Sequence, residues 1–115
     1  MKQSWKRMAV DKKLLGMFGL ARKAGKIIAG TDQVTENIRK DIPCTVYLSN
    51  EASDNTKKRI RNSCEYHNME LYELDITIDD MAHMIGKKGA ISAIAITDMS
   101  FTAAIKNIII KNQQY

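Results

Sequence analysis

Residues 91–97, which read ISAIAIT, indicate the centre of the fold. This stretch is almost wholly apolar and carries no charge. Such a run is typical of a central strand that is buried on both faces of a sheet. A strand of this kind requires helices on both sides of its sheet, and amphipathic segments elsewhere in the chain meet that requirement.

The rest of the chain alternates between helical and extended patterns. Further strands are predicted over residues 26–30, 44–49 and 70–74. Apolar residues at helical spacing predict five helices, each with a candidate cap or stop. The first spans about residues 8–24, the second runs from a cap at Thr31 or Asp32 to about Asp41, the third runs from Ser53 or Asp54 to about Tyr66, the fourth runs from Thr77 to about Gly86, and the last follows Asp98.

This alternation predicts an α/β fold, a three-layer α/β/α sandwich around a small mixed sheet of four strands. Right-handed crossovers make some strand pairs parallel, while the short strand at residues 26–30 has room to run antiparallel to its neighbour. A chain of 115 residues has the size of one domain. We therefore expect residues 1–7 to form a flexible basic lead-in and residues 8–115 to form a single domain.

The charge is distributed unevenly. Eighteen Lys and Arg residues against thirteen Asp and Glu residues give a net charge of +5. The first 26 residues carry eight bases and one acid, so the remainder of the chain is slightly acidic. Between Arg61 and Lys87 there are six acids and no Lys or Arg. This polarity predicts one face that meets a polyanion, although a solvated helix with a loose basic tail would give the same count.

Several classes of protein are disfavoured by the sequence. No apolar run approaches the ~20 residues of a membrane-spanning helix, and no secretory signal is visible, so we expect a cytoplasmic protein without membrane association. Cys44 and Cys64 are expected to be buried or half-buried thiols. His67 and His83 lack partners at metal-ligand spacing, and residues 86–89 lack the spacing of a phosphate-binding loop. We expect no catalytic residues, no metal and no cofactor.

The junction between the first two helices is the best candidate for a binding site. Three bases, Arg22, Lys23 and Lys26, precede the predicted helix start at Gly30 and Thr31. A helix start offers unpaired N–H groups and a partial positive charge, which suit an anion. Gly30 has no side chain and would let a polynucleotide backbone approach closely.

Two polar residues follow in the first turn of that helix. An ionised Asp32 can only accept hydrogen bonds from base edges, whereas Gln33 can donate and accept. Plain helix capping by Thr31 and Asp32 would explain the same residues without a ligand.

Two motifs resemble those of the kink-turn-binding ribosomal protein family, which includes archaeal and eukaryotic large-subunit proteins and small bacterial relatives. Residues 20–34 read LARKAGKIIAGTDQV and resemble the family's opening motif. Residues 86–96 and the following Thr97-Asp98 resemble its second motif, a loop that leads into an apolar Ala-Ile strand. The resemblance extends over about residues 12–110, is strongest to the bacterial branch, and implies an α/β/α sandwich.

The resemblance also implies recognition of a kink-turn, an RNA stem bent at a bulge beside sheared G·A pairs. In typical members an Asn-Glu pair reads the sheared guanines, and a Lys three residues later meets phosphate. Here Asp32 and Gln33 replace the pair, and Glu36 replaces the Lys, while Lys40 keeps a basic position. The family's apolar loop is here the basic Lys87-Lys88 loop, which adds contacts to phosphate.

The sequence therefore favours a small, monomeric, ribosome-associated protein that binds structured RNA, including ribosomal or kink-turn-like RNA. The expected RNA-binding residues lie around the second helix and the basic loop; they are Arg22, Lys23, Lys26, Gly30, Thr31, Asp32, Gln33, Glu36, Lys40, Lys87 and Lys88.

Two alternatives remain open at this point. The first is a protein-interaction module of the translation machinery that has lost kink-turn specificity. Its acidic edge would contact a basic partner such as a ribosomal protein; that edge comprises Glu70, Glu73, Asp75, Asp79 and Asp80. The second is an enzyme, for which the sequence displays no acid/base pair.

Overall fold

A computed structural model describes residues 7–112, in which strands and helices alternate as the sequence predicts. The strands are β1 (Arg7–Ala9), β2 (Ile27–Ala29), β3 (Thr45–Ser49), β4 (Glu70–Asp75) and β5 (Ala93–Ile96). The helices are α1 (Lys12–Lys23), α2 (Thr31–Arg39), α3 (Asp54–His67), α4 (Ile78–Met84) and α5 (Met99–Asn112).

The strands form one mixed sheet in the order β1-β4-β3-β5-β2. β4 pairs in parallel with β1 and β3, and β5 pairs antiparallel with β3 and β2. The antiparallel orientation suggested for residues 26–30 is therefore confirmed. All four residues of β5 are buried between two neighbouring strands, which confirms the central strand predicted from residues 91–97.

The described sheet has five strands, so the prediction of four is wrong. The additional strand, β1, occupies residues where the first helix was expected to begin. That helix starts at Lys12 because the Asp11 carboxylate accepts a hydrogen bond from the Leu14 N–H at 2.9 Å and caps it. Met8 and Ala9 instead pair with Leu74 and Asp75 of β4. Of the predicted lead-in, residues 1–6 lie outside the described residues.

Each face of the sheet carries its own hydrophobic cluster, which gives the three predicted layers. α1, α4 and α5 pack on one face around Phe18, Tyr47 and Ile94. α2 and α3 pack on the other face around Val34 and Val46. Cys44 and Cys64 lie in this second cluster as buried free thiols, as predicted. Within residues 7–112, no helix is long and apolar enough to cross a membrane.

The helix caps agree with the sequence at α3, α4 and α5. Ser53 Oγ, Thr77 Oγ1 and Asp98 Oδ1 each accept a hydrogen bond from a first-turn N–H. α2 differs, because its N-cap is Gly30 and no side chain caps it. The prediction that Thr31 or Asp32 caps this helix is therefore wrong.

Glu73 of β4 is a buried acid. The side chain of Glu73 lies beneath α3, and the residue is only 4% exposed. Its carboxylate contacts Arg61 Nη2 at 2.5 Å and Lys57 Nζ at 3.5 Å. The sequence of residues 70–74 indicated a strand, but it could not show that α3 covers one face of β4 and brings two cations to its acid.

Candidate nucleic-acid interface

The first turn of α2 lies beside the loop that precedes β5. The Gly30 N–H donates a hydrogen bond to the Ala93 carbonyl at 2.9 Å, and Ala93 is the first residue of β5. Because this bond joins the end of β2 to the start of β5, it places the start of α2, residues 30–33, close to the end of the loop formed by residues 86–92. We refer to these two segments together as the α2–loop surface.

The start of α2 is shaped by Gly30. This residue has φ +101° and ψ 144°, a conformation that other residues rarely adopt. A Cβ at this position would lie 2.9 Å from Gln33 Oε1, so the Gln33 side chain folds back over the glycine. Since no side chain caps the helix, its first-turn N–H groups and the positive end of its dipole remain available to an anion.

The basic loop also packs against the end of α1. It begins at Gly86, where a Cβ would lie 2.5 Å from Cζ of Arg22. The guanidinium of Arg22, at the end of α1, therefore packs directly on the loop. Lys87 and Lys88 follow and are exposed. Arg22 and the two loop lysines, which lie more than 60 residues further along the chain, thus border one surface.

Lys26 lies beside the last turn of α1, where its N–H donates a hydrogen bond to the Ala21 carbonyl. It is at the opposite end of β2 from Gly30, where its carbonyl accepts a hydrogen bond from the Thr97 N–H. Its charge contributes to the lowered pKa of Asp98, after hydrogen bonds from the Ser100 hydroxyl and the Phe101 N–H. Lys26 and Gly30 were expected in one binding site because they are close in sequence. An extended strand, however, separates its two ends by about 3.3 Å per residue. Lys23 is exposed in the last turn of α1.

Asp32, in the first turn of α2, is bound to a residue of α3. Its Oδ1 lies 3.0 Å from Nη1 of Arg59, whose Nη2 donates a hydrogen bond to Thr35 Oγ1 at 3.1 Å. Arg59 is not among the binding residues expected from the sequence. No short-range pattern could have found this contact, because 27 residues separate the two partners.

Glu36 is bound by cations of its own helix. Arg39 donates two hydrogen bonds to its carboxylate, at 3.1 and 2.5 Å, and Lys40 Nζ lies 3.8 Å away. The hydrogen bonds from Arg39 hold the pKa of Glu36 below its ordinary value, so it is ionised at neutral pH. Its negative charge, which the sequence comparison placed opposite RNA phosphate, is therefore offset locally. Lys40 follows the last residue of α2, about one helix length from Gly30.

Among residues 7–112, no three His, Cys, Asp or Glu side chains come together as a metal-binding group. The arrangement instead places exposed cations, one uncapped helix start and a glycine-shaped turn on a common surface. These features suit a polyanion.

Comparisons with known proteins agree with this chemistry. The family described as the ribosomal protein L7Ae/L30e/S12e/Gadd45 family matches residues 12–105. A protein of Enterococcus faecium named RNA-binding protein YlxQ is 32% identical over 97 residues, which cover 84% of this chain and 91% of that protein. A Bacillus subtilis (strain 168) protein of the same name is 31% identical over 85 residues, covering 74% and 83%. None of these descriptions is that of an enzyme, which agrees with the prediction from the sequence.

Solved structures share the fold at lower sequence identity. A protein of unknown function from Bacillus halodurans C matches with a TM-score of 0.77 at 24% identity, covering 86% of this chain and 98% of that one. The Giardia lamblia 15.5kD RNA binding protein matches with a TM-score of 0.68 at 10% identity, covering 87% and 90%.

Proposed function

Because the chain belongs to the ribosomal protein L7Ae/L30e/S12e/Gadd45 family, we propose that it is an RNA-binding protein. The family match confirms the resemblance drawn from residues 20–34 and 86–98. The two relatives from Enterococcus faecium and Bacillus subtilis, each named as an RNA-binding protein, support the same function for this chain.

The observation that carries the proposal is the hydrogen bond between Gly30 and Ala93, which joins the two family motifs into the α2–loop surface. An RNA backbone lying across this surface would meet the N–H groups at the start of α2 and the side chains of Arg22, Lys87 and Lys88. Contacts of this kind bind phosphate and carry no sequence information by themselves.

Recognition of RNA shape is the finer part of the proposal. Structured RNA of the kink-turn type would present its non-canonical pairs to Gln33, which is exposed and retains amide donors. Asp32 and Glu36 already bind arginines, so they leave base reading mainly to Gln33. The protein would act as a cytoplasmic monomer on ribosomal or kink-turn-like RNA, with residues 8–115 as one domain.

A titration with three RNAs tests this function. The RNAs are a kink-turn stem, the same stem with Watson–Crick pairs in place of its sheared pairs, and an unstructured strand, each measured across a salt series. Preference for the kink-turn of tenfold or more at physiological salt would support shape recognition. Equal, salt-sensitive binding to all three would leave RNA binding and remove kink-turn recognition, because phosphate contacts weaken steeply with salt. No binding to any RNA would contradict the proposed function.

A matched pair of lysines locates the surface. Lys88→Ala should lower the affinity for all three RNAs and reduce the salt slope by about 1, as expected for one lost phosphate contact. Lys26→Ala removes the same charge at the opposite end of β2 and should leave the affinity unchanged. Equal losses from both substitutions would show that net charge, and not the α2–loop surface, determines binding.

A protein-interaction role is the second candidate, but its predicted acidic edge does not form as one surface. Glu73 is buried, and Glu70 pairs with Lys106 at the other end of β4 from Asp75. The observation that favours this role is a groove of about 470 Å³ lined in part by Glu51, Asp75 and Asp80. A basic protein captured after nuclease treatment, and lost with Asp80→Asn, would support this alternative.

A further inference from the structure

A cleft of about 340 Å³ separates the outward faces of α2 and α3. Asp32, Thr35 and Glu36 line one wall, together with Arg39, which pairs with Glu36, and Arg59 and Ser63 line the other. Because Asp32 is also in the first turn of α2, the cleft begins where the α2–loop surface ends. An RNA backbone that crosses the start of α2 has a direct continuation into this cleft.

Arg59 is the residue of the cleft best suited to a phosphate. Its guanidinium is held by two groups of α2, the Asp32 carboxylate at 3.0 Å and the Thr35 hydroxyl at 3.1 Å. The Thr35 side chain is held in place because its hydroxyl shares a hydrogen bond between the carbonyls of Thr31 and Asp32. A guanidinium carries five N–H donors in a planar fork, so these contacts leave donors for a second acceptor. The side chain of Arg59 is 53% exposed, which keeps those donors accessible.

We infer that Arg59 is a further RNA-binding residue, which binds a phosphate of a backbone that enters the cleft between α2 and α3. The inference rests on the proposed function. Asp32 then influences RNA binding through Arg59, because its carboxylate occupies some of the guanidinium N–H donors when no RNA is bound. The Asp32 side chain is 83% exposed, and exposed ion pairs are weak, so a phosphate can displace it.

The first test removes the cation. Arg59→Gln should lower the affinity for all three RNAs of the titration by about five- to tenfold and reduce the salt slope by about 1. Arg59→Lys, which keeps the charge, should retain the salt slope. Lys106→Gln is the matched control, because it removes the cation of another exposed pair, on α5, and should leave the affinity unchanged.

The second test removes the competing carboxylate. Asp32→Asn should raise the affinity about two- to fivefold, because Arg59 is released and a repulsive charge is lost. In the Arg59→Gln background the same substitution should have little effect. An equal gain in both backgrounds would show that Asp32 repels RNA on its own and would overturn its action through Arg59.

The two proposals fail in different ways. If the unchanged protein binds RNA and Arg59→Gln binds equally well, the inference about Arg59 is wrong and the proposed function stands. If the unchanged protein binds none of the three RNAs, the proposed function is wrong, and the inference falls with it.

Discussion

Two ion-pair clusters on α3 contain similar residues but differ in burial. In the buried cluster, Lys57 and Arg61 contact Glu73, whose side chain is only 5% exposed. In the exposed cluster, Arg59 contacts Asp32, and both side chains are more than half exposed. All three cations come from one short basic stretch of a single helix.

The two clusters differ in whether their cations are available to bind RNA. Lys57 and Arg61 are four residues apart and therefore point to the same side of the helix, toward the sheet. Both contact the same buried carboxylate and hold α3 on β4. Arg59 points toward α2, where solvent weakens its ion pair and leaves it able to exchange partners. Net charge alone would count all three as equal candidates for RNA.

The largest expected effect is on the buried cluster. Glu73→Ala leaves two partly buried cations without their carboxylate and should lower the free energy of unfolding by about 2–3 kcal/mol. Urea denaturation measures the change. Glu70→Ala, which removes the carboxylate of the exposed pair with Lys106, is the control and should cost less than about 0.5 kcal/mol. Similar losses in the two variants would erase the distinction between buried and exposed clusters.

The backbone at the start of α2 comes next, because it positions the exposed cluster. Gly30→Ala introduces a Cβ at φ +101° and 2.9 Å from Gln33 Oε1, so we expect about 1–3 kcal/mol of destabilisation. Gly16→Ala, in the exposed middle of α1 with no atom near its added Cβ, should stabilise by about 0.5–1 kcal/mol. Thermal unfolding of the two variants compares them. If Gly30→Ala left the thermal stability unchanged, the turn at Gly30 would not require a glycine.

Alkaline pH should act on the buried side of α3. Burial, assisted by the nearby Cys44, raises the pKa of Cys64 from its ordinary 9.0 to about 12. The folded state thus keeps a proton that the unfolded state loses. The resulting stability is present below pH 9 and falls as the pH rises from 9 toward 12, by about 1.4 kcal/mol per pH unit at most. Denaturation of the wild-type protein and of Cys64→Ala across this pH range isolates the effect. The variant should lack the part of the pH dependence of unfolding free energy that is due to Cys64.

The smallest effect is expected at the exposed surface of α2. Arg39→Ala removes two hydrogen bonds from Glu36, so the pKa of Glu36 should rise toward its ordinary value of 4.5. NMR titration of the carboxyl carbon measures this. The stability contributed by the lowered pKa is present above pH 4.5 and disappears as the pH falls through the lowered value. The urea midpoint at neutral pH should scarcely change, and a large shift would place Glu36 with the buried cluster.

Local patterns were sufficient for most of the fold. The periods of apolar residues identified five helices and four strands, and the caps at Ser53, Thr77 and Asp98 agree with the structure. They succeeded because helix and strand periods and cap hydrogen bonds depend on residues a few positions apart. β1 escaped detection because three residues are too few to show a period, and its partner, β4, lies more than 60 residues away.

The candidate site divides along the same line. Its two segments, a helix start that follows a glycine and a basic loop, could be identified from the sequence because each is continuous in the chain. The tertiary structure determines which charges meet there: it joins Gly30 to Ala93, packs Arg22 against Gly86 and pairs Asp32 with Arg59. The physical reason is that these contacts follow from how the helices and strands pack together, and packing depends on the whole core rather than on any local pattern.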